Sequence, residues 1–261
     1  MSTVRDYLVQ CAMCGKESEQ QRITSSPGLG GYSDLDFRPR WAYMEYWIQR
    51  CHHCGYINTS LAQPCELSMD TLLSVYQEVE AGFNWREEFK KIEMRNPDIS
   101  SDCPLTAWIE NKPYTVEMLV EDNLAFQFAK LGGMFAKLDK NISAARQFLR
   151  VAWCFDDEGN NEQGATHWRK MSIKHIESAF RQLQLPVSET TQCIYADMLR
   201  RVGDFQSVLK LDENQLSDEV SVQLIKFQKE LSEKGDSVAH KMSDNDDLLR
   251  AVKRKHENRS M

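Results

Sequence analysis

Cys11-Ala12-Met13-Cys14-Gly15 and Cys51-His52-His53-Cys54-Gly55 decide how this chain is read. Two cysteines with two residues between them both reach one ion when the chain turns tightly, and a glycine after the second supplies the positive φ such a turn needs. Both stretches have that glycine. Together they offer four sulfurs to a tetrahedral ion, so Cys11, Cys14, Cys51 and Cys54 are the expected metal ligands. The 36 residues between Cys14 and Cys51 exceed the roughly 15–20 of a compact ribbon and must hold an excursion of their own. No βαβ pattern surrounds either pair, which argues against a redox C-x-x-C. The expected cofactor is one structural Zn2+, with iron in a rubredoxin-like site as the alternative, because four thiolates suit either ion. His52 and His53 sit inside a knuckle whose sulfurs already reach the metal, and they read as neighbours of the site. Four protein ligands leave no open position for water or substrate, so the expected role is to hold the fold together.

The rest of the composition fits a helical protein. Among 261 residues, 41% are hydrophobic, enough for a buried core, and only 12 are glycine and seven proline. A net charge of −7 argues against general polyanion binding. No apolar run follows Met1-Ser2-Thr3-Val4-Arg5-Asp6, and no stretch approaches about 18 uninterrupted apolar residues. The expectation is therefore a cytoplasmic protein without a membrane segment. The remaining cysteines, Cys65, Cys103, Cys154 and Cys193, are scattered and read as buried structural thiols.

Working outward from the knuckles, residues 7–10 and 20–24 suit a first hairpin, and the Gly- and Ser-rich residues 25–31 suit a loop. The aromatic run 43–50 is expected as a strand entering the second knuckle, with Tyr56-Ile57-Asn58 returning from it. Between them, Asp34, Asp36 and Arg38 lie two residues apart, on one face of an extended segment. They form a possible polar site, either for a ligand or as a clamp between ribbon and helices; charges that merely pair locally in a solvated loop are the plainer account.

After Pro64 the period changes. Ser68 caps a helix carrying Leu72, Leu73, Val75, Tyr76 and Val79 and closing near Gly82. A second helical stretch follows over 85–93, and 96–104 is dense in turn residues. From Thr115 onward the pattern is helical: Val116, Leu119, Val120, Leu124, Phe128 and Leu131 share one stripe, and Ala144, Ala145, Phe148, Val151 and Ala152 another. Further helices are expected over 163–183, 189–202 and 218–234, with Ser188 and Ser217 as N-caps and Gly203 and Gly235 just past the ends. The division that follows is a zinc-ribbon domain over 1–62, connecting helices and a loop over 63–114, and a helical domain over 115–261. The expected fold class is mainly α with a small β zinc ribbon, followed by antiparallel helical hairpins.

Leu131-Gly132, Phe135, Ala144 and Phe148 meet the tetratricopeptide spacing, and Ala196, Leu199, Gly203, Phe205 and Val208 form a weaker second unit; a generic hairpin bundle accounts for both equally well. With the knuckles, the 33–39 segment, Phe148-Leu149-Arg150-Val151-Ala152-Trp153 and the 196–205 stretch, the chain resembles a bacterial family that joins an N-terminal zinc ribbon to tetratricopeptide-like helices. The resemblance covers about residues 7–210, and only its knuckles are highly specific. It implies zinc at the four cysteines with a helical scaffold behind them, and it implies no activity.

These residues bear on three functions. A protein–protein interaction scaffold, with a protein or peptide as partner, is the expectation. Nucleic-acid binding through the ribbon loses ground because residues 1–62 carry six basic against six acidic side chains and a four-thiolate site with one divalent ion adds about −2. Trp41, Tyr43, Tyr46 and Trp47 suit base stacking but suit a ribbon core better. An enzyme is disfavoured because His167, His175 and His240 stand without a nucleophile or ligand at short spacing. Oligomeric state is not legible at this level.

Overall fold

Each C-x-x-C-G knuckle closes a hairpin. In a computed structural model that describes residues 3–25, 34–38, 44–82, 123–157, 162–182 and 187–259, β1 (Thr3–Gln10) pairs antiparallel with β2 (Glu17–Ser25) across the first knuckle, Gln10 facing Glu17. Around the second, β3 (Gln49–Arg50) pairs with β4 (Ile57–Asn58). The run 43–50 corrects the expectation of one strand: Met44–Trp47 is a 3-10 turn, and only Gln49 and Arg50 are extended. Met44 and Ile48 are the residues it buries, and the turn leaves Tyr46, which a strand would put on their face, only half-buried.

Eight helices follow among the described residues: α1 (Met69–Gly82), α2 (Leu124–Lys137), α3 (Asn141–Asp157), α4 (Glu162–Gln182), α5 (Glu189–Arg201), the short α6 (Phe205–Leu209), α7 (Glu219–Glu233) and α8 (Asp246–Arg259). The protein is thus mainly helical, with small antiparallel strand pairs beside a four-cysteine cluster and helical hairpins packed on one another. The expected helix at 85–93, the turn-rich 96–104, Cys103, the residues from Thr115 to Val120, Trp41 and Tyr43 lie outside the described residues.

Caps mark the helix ends. Ser68 Oγ accepts from Thr71 N, Ser188 Oγ from Thr191 N, and Asn123 Oδ1 from Phe126 N. Ser217 proves one position early: Asp218 caps α7 through Ser221 N at 3.1 Å. Ser217 instead donates its N–H (2.9 Å) and hydroxyl (2.6 Å) to the Glu189 carboxylate, so the first residue of α5 also ties down the start of α7. Gly203 and Gly235, at φ 84° and 68°, end α5 and α7 in Schellman motifs, with 6→1 bonds from Asp204 N to Leu199 O and from Asp236 N to Leu231 O. The turn after α2 has the same bonds but places Asp139 at φ 55°. Asp139→Gly should therefore stabilise the protein by about 0.5–1 kcal/mol in denaturant titration, by relieving a left-handed residue.

Two adjacent glycines set the spacing of the stack. A Cβ on Gly132 would lie 2.7 Å from Phe148 of α3, and one on Gly133 would lie 2.8 Å from Val75 of α1. Helix α2 can therefore approach both neighbours closely. Phe148 cannot move aside easily, because it stacks on Trp168 at 5.6 Å and leans on His175 at 5.3 Å. Gly132→Ala should cost about 1–3 kcal/mol by overpacking, read as a lowered urea midpoint. The Leu-Gly…Phe spacing picked out in the sequence is physically this contact.

The apolar interior forms two clusters. The larger runs without a break from the knuckles (Cys11, Cys51, Tyr56, Ile57, Leu61) through α1 into α2, α3 and α4, and on to Met198 and Leu199 of α5 and Val208 of α6. Tyr76 joins three elements of it, accepting from Ile57 N at 3.3 Å and donating to Met134 Sδ at 3.9 Å. The smaller cluster gathers Cys193 and Ala196 of α5, Leu224, Ile225 and Leu231 of α7, and Leu248 and Ala251 of α8 around Leu35. Two basic residues of α8 pair with the acidic start of α7, Lys255 with Asp218 (2.7 Å) and Arg254 with Glu219. Among the described residues no helix is long and apolar enough to cross a membrane.

Candidate metal centre

The two knuckles are the same structure built twice. Cys11 N donates to Lys16 O at 2.9 Å and Gly15 N to Cys11 O at 2.8 Å; Cys51 N donates to Tyr56 O and Gly55 N to Cys51 O, both at 2.9 Å. Gly15 and Gly55 take φ 72° and 70°, the left-handed turn for which only glycine lacks a steric penalty. The loops are brought together by Ala12 N donating to Leu61 O at 2.9 Å, and by the burial of Cys11 and Cys51, both 0% exposed.

Their four sulfurs form one cluster. The ligand atoms of Cys11, Cys14, Cys51 and Cys54 all lie within 4.8 Å of one another, with Cys11 Sγ 3.8 Å from Cys54 Sγ and Cys14 Sγ 3.7 Å from Cys51 Sγ. A tetrahedron with metal–sulfur bonds of about 2.3 Å has edges of about 3.8 Å, so the cross-knuckle distances already fit an ion at the centre. All four cysteines are free thiols. Burial, backbone N–H donors and neighbouring sulfurs act against one another here. Burial pushes Cys54 up to about 12, with Cys51, Cys11 and Cys14 adding to the rise. At Cys51 burial acts the same way but is outweighed by the N–H groups of His53 and Cys54 and by the adjacent thiols, which bring it down to about 7.

His52 and His53 are outside the sulfur cluster and have other employment. Their Nε2 atoms donate to Glu19 O (3.2 Å) and Glu17 O (2.9 Å) on β2. Ser18 Oγ accepts from His52 N at 3.3 Å, and Gln20 Nε2 reaches Arg50 O at 2.8 Å. The second knuckle is thereby sewn to the strand leaving the first.

Asp36 and Arg38 are fastened to α3, and Asp34 to the non-helical stretch that precedes α8. Asp34 makes a β-bridge with Lys241, and Leu35 N donates to His240 O at 3.2 Å. Asp36 is 1% exposed and accepts from Trp153 Nε1 of α3 at 2.5 Å and from Arg38 N at 3.2 Å. Arg38 pairs with Asp157. These are the contacts of a clamp. The segment reaches α3 on one side and the small apolar cluster on the other, where Leu35 is buried.

The other singled-out residues are packed into the scaffold. Trp47 stands edge-on to Trp153 at 6.5 Å and under the Arg150 guanidinium at 4.6 Å. His175 Nδ1 bonds Asn141 Oδ1 at 2.7 Å, His240 pairs with Asp236 and Asp244, and His167 leans edge-on against Trp168. Of the scattered cysteines, Cys193 is fully buried and Cys65 and Cys154 partly so. Sequence reading missed Arg200, which is 0% exposed and gathers Asp197, Gln228 and two main-chain carbonyls; nothing local to residue 200 announces partners 28 to 38 positions away.

Fold and site together describe a protein of packed helical hairpins carrying a four-cysteine cluster suited to a structural metal ion. No family model, curated protein or solved structure matches the chain.

Proposed function

We propose that this protein is a zinc-clasped protein–protein interaction scaffold, in which Cys11, Cys14, Cys51 and Cys54 hold one Zn2+ and the helical hairpins present the binding surface. The observation that carries the reading is that the four-thiolate cluster is closed by its own ligands and continuous with the apolar interior of α1–α4. A metal so placed fastens a surface and has no coordination position to give to a substrate. Zinc is preferred to iron because the cluster's role is structural and needs no redox couple. Trp47 is engaged by Trp153 and Arg150, which favours a protein-facing helical surface over base stacking on the ribbon. The tetratricopeptide-like spacing around Gly132 and Phe148 supports a peptide- or protein-binding stack.

Metal analysis of purified protein should find one zinc per chain and no iron absorption in the visible. Affinity capture from the native host, comparing the intact chain with a Cys11→Ser variant, should recover a specific protein partner. Recovery of nothing above background, together with turnover of a small molecule, sinks the scaffold reading.

A further inference from the structure

The four cluster thiols divide into two kinds. Cys11 and Cys51 are 0% exposed, whereas Cys14 and Cys54 are exposed and line the cleft of about 510 Å3 between the second knuckle and α1. Each exposed sulfur also has a buried sulfur of the opposite knuckle at contact distance. Cys54 Sγ lies 3.8 Å from Cys11 Sγ, and Cys14 Sγ lies 3.7 Å from Cys51 Sγ. A sulfur that meets solvent, backed by a second sulfur that can attack it, is the arrangement in which oxidation ends in a disulfide.

The cleft suits the first step. Ligation to a cation keeps a thiol in its thiolate form, and the thiolate is the nucleophile. Among the described residues, Arg50 and Lys130 also line the cleft and no carboxylate does. Cations on that wall favour a leaving group that departs with negative charge.

On the reading that the cluster holds Zn2+, we propose that Cys14 and Cys54 form a peroxide-reactive site, at which oxidation expels the metal and ties the knuckles together by Cys11–Cys54 and Cys14–Cys51 disulfides. The Cys54 thiolate attacks one oxygen of hydrogen peroxide, the O–O bond breaks, and a sulfenic acid forms as hydroxide leaves. The Cys11 thiolate then attacks the Cys54 sulfur, forming the S–S bond and releasing the oxygen as a second hydroxide. The two sulfurs lose two electrons and the peroxide gains them. The same sequence at Cys14 and Cys51 consumes a second peroxide and leaves no thiolate to hold the ion. Covalent bridges then join the loops that the metal joined before, so the oxidised ribbon keeps its two knuckles together where a stripped ribbon does not.

Hydrogen peroxide added stepwise to the zinc-loaded full chain tests this, with zinc release followed by a chromogenic chelator. Release should reach one equivalent as two equivalents of peroxide are consumed. Peptide mapping should recover the Cys11–Cys54 and Cys14–Cys51 bridges, while Cys193, 0% exposed, stays a thiol. Dithiothreitol with added zinc should restore the loaded protein, and trypsin should cut within residues 3–25 several-fold more slowly in the oxidised chain than in chain stripped by a chelator. Zinc retained while Met13 and Met69 of the same cleft become sulfoxides overturns the proposal, and so do bridges confined to one knuckle, Cys11–Cys14 or Cys51–Cys54. A chain that holds no zinc before treatment removes the clasp of the proposed function and this site with it, whereas zinc bound and kept removes this site alone.

Discussion

Replacing Cys51 by serine is expected to release the metal and to lower the stability of far more than the ribbon. Structural zinc in four-cysteine or mixed sites contributes on the order of 10 kcal/mol to folding, and here Cys11 and Cys51 belong to the same apolar cluster as Phe126, Leu131 and Phe148. Metal content should drop from one equivalent to none, the amides of β1–β4 should lose protection, and the apparent Tm should fall by many degrees. Far-UV circular dichroism should still report helix, since α7 and α8 pack with one face of α5 in the separate small cluster. A Cys51→Ser protein that keeps one equivalent and melts with the wild type removes Cys51 from the ligand set. The pH dependence has a defined sign. Metal must displace the proton that burial holds on Cys54, raised to about 12, so affinity falls as pH falls. A chelator should strip the ion at a lower concentration at pH 6 than at pH 8. It has a route, because Cys14 and Cys54 are exposed and line a cleft of about 510 Å3 with Met13, Met69 and Leu73.

Arg200→Met should be the most costly single change away from the metal. The guanidinium is fully buried and donates to Asp197 Oδ1 (2.9 Å), Gln228 Oε1 (2.5 Å), Asp236 O (2.8 Å) and Val238 O (2.7 Å). Methionine preserves much of the volume and none of the donors. Asp197, 2% exposed, would be left with Gln228 Nε2 at 3.0 Å as its remaining donor from this network, and two carbonyls of the turn after α7 would lose theirs. Breaking one side of a buried ion pair costs about 3–5 kcal/mol, since the surviving charge remains desolvated. Equilibrium unfolding in guanidinium chloride should show a loss of that size. The double variant Arg200→Met, Asp197→Asn should recover part of it by removing the stranded charge. Arg254→Ala, which breaks an exposed pair with Glu219, should leave the midpoint essentially unchanged. Equal effects of the two single arginine changes would mean that burial does not set the cost here.

What could be read from the sequence was what is local in the chain. The knuckles are local: spacing and a glycine define each loop, and the structure puts their sulfurs together. Helix ends were legible wherever one residue makes the cap, as at Ser68 and Ser188. At residue 217 the helix is capped by its neighbour Asp218, and the serine is taken by Glu189, 28 positions away. The run 43–50 was misread because aromatic content suggested a strand, while Met44–Trp47 closes into a 3-10 turn. Asp36 and Arg200 were beyond reach for one reason. Their partners, Trp153 117 positions away and Val238 38 positions away, are neighbours only once the helices have stacked. The pattern Asp34, Asp36, Arg38 could be seen, but whether it meets solvent, a ligand or a helix is decided by Trp153 and Asp157.

The bonds from His52 and His53 to the carbonyls of β2 bear on how the protein would age in a cell short of metal. An isolated two-stranded hairpin is marginal in water, and β1 carries Val4 and Leu8 exposed at 41% and 63%. Its splint is the second knuckle, whose sulfurs are half of the four-cysteine cluster. With zinc as the proposed clasp, metal starvation would therefore expose residues 3–25 to proteases first and leave a shortened chain in which α7 and α8 keep their small cluster. The N-terminal strands would record, by being clipped or intact, whether a given molecule had been loaded during its lifetime.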